Sequence, residues 1–451
     1  MKLCTNFKCQ SRISTIVFLA IISRLFTWFI AFLSVFLIDA YDSASDIILV
    51  DESSGIIQKL FNSSFHVFLR WDSFYFLHLA EEGYVYEQEH AFFPLFPFLA
   101  RLLGNSLFLP LGFFLTYKQI LLLSGVLIAN ASFVLASVYL YKLSIKLFHD
   151  ETFAFITALL YILTPSCMFM SAMYTESLFA LLSFLGLNLF VSGKLWSSAF
   201  LWLLASLTRS NGIVFSGFFA FNLLIKDINR INLIKLVVRL IKTIILCSIV
   251  FLGFGAFQLY GFDQFCIYAT PIRPWCLQSP FPFLYQYVQK QYWNCGFLTY
   301  YEVKQIPNFL FALPMISFSF FGIYKYANYD YKRMISLGLQ SSHPLEIIKE
   351  ISNIQKDKHI LSPYFSSDLL PFIYLWLILL LYAITSMHIQ VITRFFSSLP
   401  TVYWFASHLF VTSISKNSTE LDKKFGYTVL YYFVLYGWCG IVLFANYFPP
   451  A

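Results

Sequence analysis

Charged residues in this chain are confined to short stretches that separate long apolar blocks. Between Ile13 and Ile38 the sole charge is Arg24. Blocks with no charge or nearly none recur at 114–141, 152–171, 177–193, 195–208, 212–225, 243–260, 306–324, 369–387, 396–414 and 426–446. Roughly 18 or more apolar residues in a row can cross a ~30 Å hydrocarbon core as a helix. The pattern predicts an all-α polytopic membrane protein with about eleven spans, several of them short and 195–225 readable in part as one broken helix. Continuous apolar runs, rather than alternation, exclude a membrane β-barrel.

Composition agrees with the pattern. The 451 residues are 59% hydrophobic and 12% charged, with mean hydropathy +0.70. A soluble domain carries about 25% charged residues, so this chain has too few to cover a water-facing surface.

Placing the N-terminus in the cytosol puts 20 of the 30 Lys and Arg residues on that side. They lie in the N-terminal segment, at Lys142, Lys146 and Lys194, and in 226–242, 325–365 and 416–424. That bias obeys the positive-inside rule. The first apolar run is too long for a signal-peptide core and reads as a retained span. The chain is then a single membrane domain, 1–451, with large non-cytosolic loops at 39–112 and 261–305 and a cytosolic loop at 325–365. Its net charge of +7 is spread over loops, which suits topogenic charges rather than a nucleic-acid partner. No internal repeat of the transporter kind is visible.

The first large loop starts acidic, carries the sequon Asn62-Ser63-Ser64 as a candidate N-glycosylation site, and turns amphipathic at "RWDSFYFLHLAEEG". There Trp71, Phe74, Tyr75 and His78 recur at helical spacing, and Gly83 reads as the stop. "HAFFPLFPFLAR" is too short and too proline-broken to span, which fits a segment lying along the interface.

Several charged side chains interrupt this apolar background, and each reads two ways. Asp72 is a general base or acceptor-orienting carboxylate among aromatics, kept ionised by Arg70, or a helix-starting residue favoured by the dipole. Glu176, in "YTESLFALL", is a functional group near membrane depth or the polar residue any turn between spans requires. Arg209, in "LTRSNG" with Asn211, runs against the charge bias; its planar fork suits phosphate, or it snorkels from a helix end. Arg394, in "MHIQVITRF", shares that reading, while His388 beside it reads as an interfacial histidine. In the second loop Trp293, Tyr300 and Tyr301 could stack on sugar rings or form an aromatic belt. A Cys266–Cys276 disulfide fits an oxidising compartment.

Metal-binding Cys/His spacings, a Walker loop, a Rossmann glycine pattern, HExxH and GxSxG are absent. No Asp-x-Asp pair for a metal-bound sugar nucleotide stands out. The residues alone point to a membrane-resident substrate, and to an enzyme or a polytopic transporter or scramblase on the non-cytosolic side.

Seven strings, in order and spanning about residues 70 to 410, resemble the phosphatidylinositol-glycan class V (PIG-V) family. They are "RWDSFYFLHLAEEGYVYE", "AFFPLFPF", "YTESLFALL", "TRSNG", "YQYVQKQYWNCGFLTYYEVKQIPNFLFALP", "MHIQVITRF" and "PTVYWFASHL". Singly they are weak; seven in order are specific. The resemblance implies a GT-C glycosyltransferase fold in the endoplasmic reticulum membrane with its active site in the lumen. The implied activity is transfer of the second mannose, in α-1,6 linkage, from dolichol phosphate mannose to the glycosylphosphatidylinositol (GPI) precursor by inverting displacement. In the GT-C class an acidic residue of the first lumenal loop is the usual candidate for the catalytic carboxylate, and the matching position is Asp72, with Glu176 as the alternative base. Arg70, Trp71, Glu176, Arg209, Asn211, Trp293 and Arg394 become substrate-binding candidates, with no cofactor and no obligatory metal. Expected partners are membrane lipids, the lipid-linked donor and the GPI precursor, with room for a small membrane subunit. Another lipid-linked-sugar glycosyltransferase remains the nearest alternative.

Overall fold

The computed structural model describes residues 7–42, 48–49, 55–226, 228, 232–268, 271–277, 281–341 and 362–449. Residues 1–6, most of the acidic stretch between 43 and 54, and 342–361 in the predicted cytosolic loop lie outside the described residues. Among the described residues every regular element is helical.

The helices that place the site are, in chain order, α1 (Phe7–Leu37), α2 (Ile56–Phe65), α3 (Ser73–Glu81), α4 (Leu95–Gly104), α5 (Tyr117–Phe148), α6 (Glu151–Ile162) and α7 (Glu176–Val191). They continue as α8 (Leu195–Ser206), α9 (Leu233–Phe262), α10 (Leu284–Gln291), α11 (Ile306–Tyr329), α12 (Leu370–Ser386), α13 (Pro400–Ser413) and α14 (Glu420–Ala445). Six stretches among the described residues are long and apolar enough to cross a membrane: Gln10–Leu37, Tyr117–Phe148, Leu233–Ile267, Val303–Tyr329, Ser367–Ser386 and Glu420–Ala445. This is a multi-pass membrane protein. The remaining predicted blocks form shorter helices, and their irregular ends build the site.

Block 152–171 shows why. Its helix stops at Ile162 because Pro165 has no N–H and disfavours helical geometry at Thr164. The chain then runs irregularly to Thr175, and backbone groups freed at membrane depth need internal partners. Arg24, buried in α1, supplies some: its Nη1 donates to Cys167 O at 2.9 Å and Ser171 Oγ at 3.0 Å. Asn130 Nδ2 on α5 donates to Ser171 O at 3.0 Å, and Ser177 Oγ to Met170 O at 2.6 Å.

Helix α5 is the hub, packed on α1, α4, α6 and α7. Helices α7 and α8 meet at Gly186, where an added Cβ would fall 2.3 Å from Trp202 Nε1. The two large loops fold against each other. Trp275 Nε1 and Tyr292 OH both donate to Glu87, and Cys266 and Cys276 are joined by a disulfide.

The sequon needs correction. Asn62 is buried on α2, with Nδ2 donating to Leu49 O at 2.9 Å and Oδ1 accepting from Gln119 Nε2 at 2.6 Å. A glycan on that nitrogen would have to break its bond to Leu49 and draw the side chain out of its buried place, so the fold does not accommodate one.

Candidate active site

Asp72, Glu176, Arg209, Asn211, Trp293 and Arg394 line one cavity of about 590 Å³. They come from five separate chain segments, so the fold assembles what the sequence scattered.

The side chain of Asp72 does not serve as a helix cap. Asp72 stands at the N-cap of α3, yet its side chain makes no capping hydrogen bond. Its Oδ2 instead accepts from Arg394 Nη1 at 2.8 Å, 322 residues along the chain. A helix-starting role would have used the side chain locally. The main-chain N–H of Asp72 donates to Tyr174 OH at 3.0 Å, and that hydroxyl donates to Arg70 O at 3.1 Å.

Glu176 opens α7, where the helix dipole favours a negative charge. Its Oε1 accepts from Arg209 Nη1 at 2.6 Å and lies 3.9 Å from Arg394 Nε. Arg209 reaches it from an extended residue (φ −153°, ψ 144°) that precedes the 3₁₀ turn Ser210–Phe215, and also donates to Thr175 Oγ1 at 3.1 Å. The turn after Arg209 doubles back so tightly that a Cβ on Gly212 would sit 2.5 Å from Ser206 N, which explains the glycine of "TRSNG". Arg394 rides a one-turn helix, Ile392–Phe395, between α12 and α13.

The four groups form a ladder of alternating sign: Asp72, Arg394, Glu176, Arg209. The two acids differ in access, for the side chain of Asp72 is 26% exposed and that of Glu176 is 2% exposed. Burial lowers the Arg394 pKa, but Asp72 first and Glu176 second outweigh it and raise it above the ordinary value. Two buried polar atoms of the ladder, Arg394 Nε and Glu176 Oε2, hydrogen-bond to no described residue.

Around the ladder, Trp293 packs its ring 5.9 Å from both Tyr75 and Phe92. His388 holds the Trp293 carbonyl through Nε2 and stacks on Tyr300. Burial lowers the His388 pKa, against the pull of that carbonyl and with help from Arg394, so the ring is neutral at neutral pH. Away from the ladder the cavity wall is apolar, including Ile213, Val214 and Phe254. Ile378 and Tyr382 on α12 line it too while being exposed on the outside of the bundle. One side of the cavity is thus polar, and the other opens between helices.

Two sequence expectations are corrected. Arg70 does not pair with Asp72: it is buried, with Nε on Ala445 O at 2.9 Å, Nη1 on His66 O at 2.6 Å, and its guanidinium over the Tyr447 ring. Trp71 lies between them in the left-handed region (φ 55°), a turn that sends the flanking side chains to different partners. Trp71 itself is exposed beside Tyr447 and does not line the cavity. Tyr174, Tyr285 and Tyr382 were given no role by sequence reasoning, yet all three line it. Tyr174 could have been noticed from its place two residues before Glu176.

A family model described as "Mannosyltransferase (PIG-V)" matches residues 13–451. The chain is similar to GPI alpha-1,6-mannosyltransferase 2 of Homo sapiens, 35% identical over 385 residues that cover 79% of this chain and 76% of the relative. Similarity to GPI mannosyltransferase 2 of Schizosaccharomyces pombe is 32% over 419 residues, covering 91% and 79%. For the protein of that name from Cryptococcus neoformans it is 31% over 405 residues, covering 85% and 88%.

Proposed function

The chain belongs to the PIG-V mannosyltransferase family and is a GPI-anchor mannosyltransferase; we propose that it takes mannose from dolichol phosphate mannose and adds the second mannose, in α-1,6 linkage, in the lumen of the endoplasmic reticulum. The observation that carries the finer reading is the ion ladder in a cavity with one apolar, laterally open side. A lipid-linked donor needs both features. Its phosphate suits the arginines, and its chain needs a path into hydrocarbon beside Ile378 and Tyr382. The family sets aside the scramblase alternative.

In the proposed step, the acceptor 6-hydroxyl oxygen bonds to C1 of the β-linked mannosyl phosphate as the C1–O bond to phosphate breaks. The hydroxyl proton passes to Asp72, and dolichyl phosphate leaves with the electron pair, giving an α-linked product. Asp72 suits the base role because it is the accessible acid of the ladder. Glu176 is too enclosed to meet an acceptor and serves as counter-ion to both arginines. Arriving phosphate offers Arg394 and Arg209 another anion, so Arg394 can turn from Asp72 and free the carboxylate. Charge on the departing phosphate is then balanced by guanidinium donors in a low-dielectric site. Trp293 and Asn211 are placed to contact sugar. No divalent ion is required by this scheme.

The test uses microsomes from cells lacking their own second mannosyltransferase and expressing this chain. Supplied with dolichol phosphate mannose and the singly mannosylated GPI precursor, they should form the doubly mannosylated product. Product formed from a nucleotide sugar when no dolichol-linked donor can be made would overturn the donor assignment.

A further inference from the structure

Tyr174 is buried beneath the ladder and touches the catalytic segment at two points. Its hydroxyl accepts from the Asp72 N–H at 3.0 Å and donates to the Arg70 carbonyl at 3.1 Å. Its ring packs on Phe76, Phe169 and Phe444, with the Arg394 guanidinium 5.7 Å from the ring centroid. One side chain therefore grips the main chain of Asp72 and underlies the arginine that Asp72 bonds.

The segment it grips is strained. Trp71 holds φ 55°, a region that crowds Cβ against the backbone in any residue but glycine and persists only where the surroundings enforce it. The Tyr174 hydroxyl bridges the peptide groups on either side of Trp71. It thereby closes the turn whose geometry aims the Asp72 carboxylate at Arg394. Ser73 also ties the turn, through bonds between its hydroxyl and Arg70, but these stay inside the same short segment. Tyr174 ties it to the α6–α7 connection, which leads directly into Glu176.

We propose that Tyr174 is a positioning residue: its hydroxyl holds Trp71 in the left-handed turn and so sets the Asp72 carboxylate at the reacting centre. This rests on Asp72 being the base. Tyr174 takes no proton in the reaction, and its ring, not its hydroxyl, does the packing. The hydroxyl can thus be removed with the fold kept.

In Tyr174→Phe, kcat should fall about tenfold or more, as misplacement of a reacting group costs, with KM for the lipid donor within about twofold and the detergent melting profile lowered by the lost hydrogen bonds but still that of a folded protein. Trp71→Gly accepts the positive φ without enforcement. In a Trp71→Gly background, removing the hydroxyl should therefore cost much less, so the double-mutant cycle is non-additive. Wild-type kcat in Tyr174→Phe, additive losses in the cycle, or lost folded yield with unchanged activity per folded molecule would each overturn the inference. Activity of Asp72→Asn separates the two claims. If that variant is dead while Tyr174→Phe is fully active, only the positioning role fails; if it is active, the base assignment fails as well.

Discussion

The cavity and the seam between the two large loops hold their carboxylates in different ways. In the cavity, Asp72 and Glu176 are met by Arg394 and Arg209, so every charge faces an opposite charge. Between the two large loops, Glu87 accepts from the indole of Trp275 and the phenol of Tyr292. Glu89, beside it, accepts from the main-chain N–H groups of Val85 and Tyr86 at 2.9 and 2.8 Å and sits 3.0 Å from His78. Neutral donors fixed in a packed interface have no other anion to turn to. Arginines facing a cavity do, and a phosphate can compete for them. The first arrangement suits exchange of partners during a reaction; the second suits holding two loops together.

The largest test of this contrast is a matched pair of isosteric changes. Asp72→Asn should lower kcat by roughly 10²–10⁴, the usual contribution of a positioned base, and leave folded yield intact. Cells carrying it should accumulate the singly mannosylated precursor. Glu87→Gln should leave kcat within a few-fold and lower stability by about 1–3 kcal/mol, the cost of weakening buried hydrogen bonds to a charged acceptor. Full activity in the first, or a dead but folded protein in the second, would erase the distinction.

Next in size is Arg394→Lys. Lysine keeps the charge but loses the fork that bonds Asp72 and faces Glu176 together. A loss in kcat on the order of 10²-fold is expected, as for removal of one transition-state donor. The same change at Arg209, whose guanidinium hydrogen-bonds Glu176 and Thr175, should act more on donor KM. Equal effects at the two sites would argue against Arg394 as the arginine that releases Asp72.

Much of this contrast was legible in the sequence, but only one half of it. The ladder's four members are charges that interrupt apolar blocks, and such interruptions are costly enough in a membrane protein to announce themselves. Their pairing was not legible, because it depends on irregular turns at 163–175, 207–215 and 387–399 that block boundaries do not reveal. Arg70 shows the limit: two positions from Asp72, it pairs elsewhere because Trp71 adopts a conformation that composition does not forecast. Glu87 and Glu89 carried no signal, since acids in a polar loop are unremarkable until tryptophan and tyrosine close over them. Among the described residues six helices are long enough to span, against about eleven blocks, because a proline or a polar turn ends a helix without making the stretch less apolar.

The smallest effect belongs to His90, which sits in the first loop, fully buried and stacked on Phe257 of α9. Burial pushes its pKa down to about 4, against the pull of the Tyr86 and Glu87 carbonyls. At neutral pH the ring is neutral in both folded and unfolded chains, so it adds no pH dependence there. As pH falls below about 6.5 the unfolded chain takes up a proton that the folded one refuses, and stability drops. The drop levels off below about 4, where the folded ring protonates too. In His90→Phe, which preserves the stacking, the melting temperature in detergent should fall less steeply between those limits, while mannose transfer at neutral pH stays unchanged. The quantity to compare is the difference between parent and variant, worth up to about 3 kcal/mol across that window. Parallel profiles would mean that the folded ring takes up its proton as readily as the unfolded one, and that burial does not keep charge out of the loop region.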